Sequence, residues 1–281
     1  MKIMGILNVT PDSFSDGGKY IDIDKAVKHA IKMVQDGADI IDVGGESTRP
    51  GATPISIEEE ITRVIPVIER LSEVIDVTIS IDTYKAHVAK AAVKAGATMI
   101  NDVWAGGRDS DMPCIMAESN VPIILMHNRT PEMKNEHLDN ITDEVTAELQ
   151  ESIDRTISAG VKKKQIIIDP GIGFGKTLEQ NIELIKNIQR LKKLGFPVML
   201  AASKKRTIRG LAGSDDPLLL SIGTVATTCH AYLKGVDYVR VHDVRENKAA
   251  INVMMGLGNV ICMQRVGETN DLSKRENNKF L

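Results

Sequence analysis

The sequence predicts a single-domain α/β protein, a (β/α)8 TIM barrel, and three observations carry that prediction. Short apolar runs rich in β-branched residues alternate with longer amphipathic stretches along the whole chain. The links between them are short, and several amphipathic stretches end in glycine before the next apolar run, at Gly37, Gly96, Gly160, Gly195 and Gly235. Glycine there tolerates the left-handed helix cap. Finally, the length of 281 residues suits one barrel, a fold that typically takes about 250. A doubly wound open sheet is the structural alternative, since alternation alone does not show closure.

Taken in order, the predicted strands are Ile3–Val9, Ile40–Val43, Thr78–Ile81, Thr98–Ile100, Pro122–Met126, Gln165–Ile168, Pro197–Leu200 and Asp237–Val241. A helical stretch follows each. From Asp24 to Gln35, the residues Ala26, Val27, Ala30, Ile31 and Val34 share one face. From Ile57 to Ile75, the stripe is Ile57, Ile61, Val64, Ile65, Ile68 and Leu71. Both follow the 3.6-residue period of a helix laid on a core. No linker or low-complexity segment divides the chain. The barrel is assigned to residues 1–260, and the remainder, 261–281, is expected to be a polar C-terminal tail.

Composition narrows the class. Lys plus Arg number 35 against 38 for Asp plus Glu, a net charge of −3, which points to neither a nucleic-acid nor a membrane partner. Three cysteines lie far apart with no C-x-x-C pair, as expected of reduced thiols in a cytoplasmic protein. The N-terminus runs straight into strand-like sequence, so no signal peptide is expected. No apolar run approaches the roughly 18 residues of a membrane span.

The barrel prediction has a chemical consequence, because active sites of this fold lie at the C-terminal strand ends. Those ends carry Asn8, Gly44-Gly45-Glu46-Ser47-Thr48-Arg49, Asp82, Asn101-Asp102, Met126-His127-Asn128, Asp169, Ser203-Lys204-Lys205-Arg206 and Arg240-Val241-His242. Singly, each has an ordinary explanation: a helix cap, a solvated basic face, a satisfied histidine. Polar groups at all eight ends are harder to dismiss together. Asp82, Asn101 and Asp169 suit a neutral heterocycle with several N–H donors, since a carboxylate can take two parallel N–H bonds from a guanidine-like ring edge. The basic groups cluster near strands seven and eight, where barrels often bind phosphate. Arg240 and His242, two apart on a strand, share a face and can clamp a phosphate or diphosphate.

Two motifs are excluded in the run Asp169-Pro170-Gly171-Ile172-Gly173-Phe174-Gly175-Lys176. A Walker A loop needs glycine where Pro170 stands, and the dinucleotide fingerprint needs G-x-G-x-x-G where the chain has G-x-G-x-G. Two long loops follow strands one and two, through Asp16 and through Thr48-Arg49-Pro50. Loops of this kind can close over a barrel mouth and exclude water.

These motifs together resemble a family. Met4-Gly5-Ile6-Leu7-Asn8-Val9-Thr10-Pro11-Asp12-Ser13-Phe14-Ser15-Asp16-Gly17-Gly18 is similar to the first signature of dihydropteroate synthases, and Gly44-Gly45-Glu46-Ser47-Thr48-Arg49-Pro50-Gly51 to the second. The glycine loop after Asp169, Ser203-Lys204-Lys205-Arg206 and Arg240-Val241-His242-Asp243-Val244 resemble the later ones, in the family's order. The resemblance implies a (β/α)8 barrel, commonly a homodimer. Such an enzyme joins 6-hydroxymethyl-7,8-dihydropterin diphosphate to 4-aminobenzoate in folate biosynthesis. It also implies roles. Asp82, Asn101, Asp169 and Lys205 would hold the pterin, Arg240 and His242 the diphosphate, and Asn8 would meet Mg2+. Thr48 would lie near both the diphosphate and the benzoate. Arg49, Pro50, Phe174, Ser203 and Arg206 would line the benzoate side. Asp16, Thr48, Arg49 and Lys205 would be the catalytic set. Lys204 stands where many members have arginine, and Gln180 where many have histidine. Two other readings stay open at this point: a pterin-dependent methyltransferase on a related barrel, and a pterin-binding paralogue without catalysis.

Overall fold

The computed structural model describes residues 1–10, 19–47, 53–130 and 140–258. Asp16, Thr48, Arg49 and Pro50 lie outside these residues, as does the tail 261–281. The apolar runs form eight strands: β1 (Lys2–Asn8), β2 (Ile40–Gly44), β3 (Thr78–Asp82), β4 (Met99–Asp102), β5 (Ile123–Met126), β6 (Ile166–Asp169), β7 (Met199–Leu200) and β8 (Tyr238–Val241). All pair in parallel, in the order 6-5-4-3-2-1-8-7. The seam between β6 and β7 is closed by a parallel bridge, Ile168 to Val198, and by Ile168 N donating to Pro197 O at 2.9 Å. The sheet is therefore a barrel, and the open-sheet alternative falls. Strand seven, expected over Pro197–Leu200, narrows to Met199–Leu200, with Val198 making the single bridge at the seam.

Around the outside run α1 (Lys19–Gln35), α2 (Ile57–Val74), α3 (Ala86–Lys94), α4 (Met112–Ser119), α5 (Ile141–Ser158), α6 (Leu178–Lys186), α7 (Arg206–Ala212), α8 (Pro217–Leu233) and α9 (244–258). β7 is thus followed by two helices, where a bare repeat would have one. In α2 the stripe Val64, Val67, Ile68 and Leu71 is buried, and Ser56 Oγ caps the helix by accepting from Glu59 N at 3.1 Å. Gln180 closes a reciprocal cap at the start of α6: Gln180 N donates to Thr177 Oγ1 at 3.2 Å and Thr177 N to Gln180 Oε1 at 3.0 Å. The five glycines expected at helix ends all adopt left-handed backbone, with φ from +70° to +117°.

Strand alternation divides the apolar residues into two cores. Outward-facing residues such as Ile3, Leu7, Ile41, Val43, Ile81, Ile100, Leu125 and Ile168 pack under the helices. Inside the barrel, Met4, Ile40, Met99, Ile124, Ile167 and Met199 form a separate plug against Tyr238. Two residues further along the strands, the same face carries Asp42, Asn101, Asp169 and Arg240. The floor of the site is thus hydrocarbon, and the layer above it is polar.

Candidate active site at the barrel mouth

The polar layer is wired strand to strand. Asp42 on β2 is fully buried, and its Oδ2 accepts from Asn101 Nδ2 at 3.0 Å and from Arg240 Nε at 2.6 Å. Arg240 Nη2 donates to Asp82 Oδ2, also at 2.6 Å. One guanidinium on β8 therefore bridges carboxylates on β2 and β3. On β6, Asp169 Oδ1 accepts from Gly171 N at 2.7 Å, which turns the chain into the glycine loop. Each of the three carboxylates has a second oxygen that is buried without a hydrogen-bond partner: Asp42 Oδ1, Asp82 Oδ1 and Asp169 Oδ2. A buried carboxylate oxygen with no donor is costly to keep, and a ligand bringing N–H groups removes the cost.

The electrostatics follow from that burial. Desolvation pushes Asp82 up to about 7 even though the Arg240 charge pulls it down, and Asp42 beside it adds repulsion. Asp169 is raised for the same first reason, against the pull of Lys205. For Lys205, burial lowers the ammonium to about 8, with Asp169 opposing. Burial also disfavours the Arg240 charge, but Asp42 and Asp82 outweigh it and hold the guanidinium above its ordinary value.

The remaining predicted groups among the described residues lie beyond this layer along the chain. Lys205 Nζ donates to Ile172 O at 2.8 Å and stands 4.6 Å from the centre of the Phe174 ring. Lys205 and Phe174, assigned to different substrates, are therefore neighbours. Ser203 Oγ and His242 Nδ1 are 2.9 Å apart, which joins the ends of β7 and β8. Between Ser203 and Lys205, Lys204 takes a left-handed φ of +54°, held by Lys204 N to Thr224 Oγ1 at 3.1 Å and Lys204 Nζ to Asp243 Oδ1 at 2.8 Å. Arg206 is exposed at the start of α7. Asn8 is exposed at the end of β1. A Cβ built on Gly44 would lie 3.8 Å from Asn8 Oδ1 and 3.7 Å from Asp82 Oδ2, so glycine keeps those two groups facing one opening. Among the described residues no group of three or more His, Cys, Asp or Glu could cage a metal. One neutral amide oxygen fits instead a Mg2+ that keeps its waters and phosphate oxygens, the usual habit of that ion.

Three features escaped the sequence reading. Asp42 was hidden inside an apolar strand, although its place two residues before Gly44 puts it on the same face. Lys85 looked like an ordinary residue preceding a helix. In fact its Nζ is buried and bonds Glu46 Oε2 at 2.6 Å, Glu60 Oε2 at 2.7 Å and Ile55 O at 2.7 Å. Glu46 also accepts from Tyr84 OH at 3.1 Å and Ile55 N at 3.2 Å, so the chain on both sides of the second loop converges on one ammonium. His127, listed above among the strand-end groups, turns away from the mouth. Its Nε2 lies 2.7 Å from Glu148 Oε2 on α5, in a network with Arg129 and Glu144.

Residues 4–242 match the family described as pterin binding enzyme. The dihydropteroate synthase of Clostridium beijerinckii is 53% identical over 249 residues, covering 88% of this chain and 91% of that protein. The fold is also similar to that of Xanthomonas albilineans dihydropteroate synthase, solved with 4-aminobenzoic acid: TM-score 0.86, 43% identity, 92% of this chain and 93% of that one. The same enzyme in complex with 7,8-dihydropteroate matches with TM-score 0.83 at 41% identity, covering 92% and 93%. By sequence and by barrel, the chain belongs to the dihydropteroate synthases, transferases of folate biosynthesis among the pterin-binding enzymes.

Proposed function

We propose that the chain binds 6-hydroxymethyl-7,8-dihydropterin diphosphate with its ring on the Asp42, Asp82, Asn101 and Asp169 layer, and condenses it with 4-aminobenzoate. The observation that carries this reading is the row of buried carboxylate oxygens without donors, Asp42 Oδ1, Asp82 Oδ1 and Asp169 Oδ2. A pterin edge offers the N–H groups they lack. Charge-assisted bonds of this kind contribute about 1.5–3 kcal/mol each. Lys205 closes the pocket beside Asp169, and His242 and Arg240 serve the diphosphate side. Phe174, Ser203 and Arg206, with Arg49 and Pro50 from the second loop, receive the benzoate. Asp16, Thr48 and Arg49 act from the two loops once substrates are bound.

In the reaction, the bond from the pterin methylene carbon to the diphosphate oxygen breaks, and the arylamine nitrogen bonds to that carbon. The amine's surplus proton leaves to solvent or to the departing diphosphate. The carboxylates favour the electron-poor ring that forms as the leaving group departs, and the cationic residues stabilise the charge gathering on the diphosphate. Asn8 would hold Mg2+ on the diphosphate side, where the ion would supply further charge neutralisation on the leaving group. A neutral arylamine needs little general-base help. Sulfonamides, which present the same arylamine, would compete on the benzoate side.

We further propose a homodimer. Its support is an exposed apolar strip on α8 and α9, comprising Leu218, Ile222, Leu233, Val253 and Leu257.

The test is diphosphate release by the purified chain with the pterin diphosphate and Mg2+, with and without 4-aminobenzoate. Release that rises with 4-aminobenzoate and yields dihydropteroate supports condensation. Tight binding without release would favour the binding paralogue and refute it.

A further inference from the structure

The reading above gives Phe174 a substrate-facing role but leaves open what holds it. It stands in a turn with three left-handed glycines: Gly171, Gly173 and Gly175, at φ +66°, +86° and +61°. Such a turn is intrinsically loose, because glycine has the widest conformational choice to lose. Yet it lies directly on the end of β5. A Cβ on Gly171 would overlap His127 O, and one on Gly175 would overlap the backbone of Arg129. The turn's own polar groups are then taken up from three sides. Gly173 N donates to Asn181 Oδ1 at 2.7 Å, and Ile172 O accepts from Lys205 Nζ at 2.8 Å. Two further carbonyls, Gly171 O and Phe174 O, accept from Lys176 Nζ at 2.9 and 3.0 Å, and Gly171 O accepts as well from Phe174 N at 3.1 Å.

We infer that Lys176 is a positioning residue for the benzoate half of the reaction: its Nζ staples Gly171 O to Phe174 O and so sets the Phe174 ring against Lys205. Lys176 Nζ is engaged by two carbonyls of the turn, so its effect passes through the turn. The geometry also separates the two halves of the site. Asp169, ahead of the staple, is anchored by its own bond from Gly171 N at 2.7 Å and by His127 N donating to Asp169 O at 2.9 Å. The pterin carboxylate therefore keeps both anchors when the staple is lost, whereas Phe174 keeps only the single turn bond from its own N to Gly171 O at 3.1 Å and loses the hold on its carbonyl. Burial lowers the Lys176 ammonium to about 7, helped by the Arg129 charge. The staple survives deprotonation, since a neutral amine still has two N–H groups for two carbonyls. The benzoate effect of Lys176 should thus be insensitive to pH across neutrality.

This inference rests on the proposed role of Phe174, and the test keeps the two apart. The variants are Lys176→Met, Phe174→Ala and the double variant, assayed for KM toward 4-aminobenzoate and for calorimetric Kd of the pterin diphosphate. Lys176→Met is expected to raise the 4-aminobenzoate KM on the order of tenfold, with the pterin diphosphate Kd within about twofold of the parent. In the double variant the second substitution should add little to the first, because both act through one ring. Equal losses for the two substrates, or full additivity with Phe174→Ala, would reduce Lys176 to a structural residue and overturn the inference. An unchanged 4-aminobenzoate KM in Phe174→Ala would remove the benzoate role of the ring, and the inference with it. Should Lys176→Met not fold, Lys176→Leu, which likewise has no donor for the two carbonyls, is put through the same cycle with the same expectations.

Discussion

Asp169→Asn is the sharpest single perturbation of the site. It changes one atom of a fully buried side chain without changing its volume. The asparagine Oδ1 can still accept from Gly171 N, as the carboxylate does at 2.7 Å, so the turn keeps its anchor. The other position changes kind: Asp169 Oδ2, now an unpaired acceptor, becomes an N–H2 donor facing the ring's own N–H groups. Two losses add. One charge-assisted bond disappears, about 1.5–3 kcal/mol, and a buried donor is left unpaired in the complex, a further ~1–3 kcal/mol. Together they weaken pterin diphosphate binding by roughly 10²- to 10⁴-fold. The free protein should stay folded, because the side-chain volume and the anchor from Gly171 N are kept, and the removed charge was both disfavoured by burial and favoured by Lys205. Titration calorimetry with the pterin diphosphate, beside thermal unfolding without ligand, reads both effects. Unchanged affinity would refute the reasoning, and so would a loss of affinity matched by a loss of fold.

Three further outcomes are expected. Gly171→Ala should destabilise the protein by several kcal/mol, ~3 or more, because the added methyl overlaps His127 O and the φ of +66° disfavours a side chain; thermal unfolding reads it. His242→Ala should weaken binding of the pterin diphosphate far more than binding of the bare pterin, and equal losses by calorimetry would count against a diphosphate role. His127→Gln should flatten the acid side of the stability profile. Burial, with the Lys176 charge, lowers His127 to about 4, so the unfolded state binds the extra proton first as pH falls. The parent therefore loses stability between about pH 6.5 and 4, and the variant, with no ring to protonate, should lose less over that window in urea titrations.

The barrel was legible because its signals are local. Each strand is a β-branched run, each helix has a 3.6-residue stripe, and the strand ends fall where polarity changes, as at Asp82 and Asp169. Inward and outward faces follow from the two-residue period, which is why Arg240 and His242 could be placed together. Arg240's partners were not legible. Asp42 and Asp82 are 198 and 158 residues away along the chain, and only closure of the barrel brings them to one guanidinium. The same holds for Lys85, whose buried pairing with Glu46 and Glu60 depends on how α2 and β3 meet. His127 sat at the right height but on the wrong side, since the residue after Met126 points out toward α5. Gln180, which looked like a departure from the family, has a local explanation in the cap of α6.

The central claim is that the inward carboxylates read the N–H edge of a pterin. It is tested most directly by calorimetry on the unmodified chain with the pterin diphosphate and an otherwise identical ring lacking the 2-amino group. The analogue leaves buried acceptors such as Asp82 Oδ1 or Asp169 Oδ2 without a donor, and its affinity should fall on the order of 10²-fold or more. Equal affinity for the two rings would contradict the account.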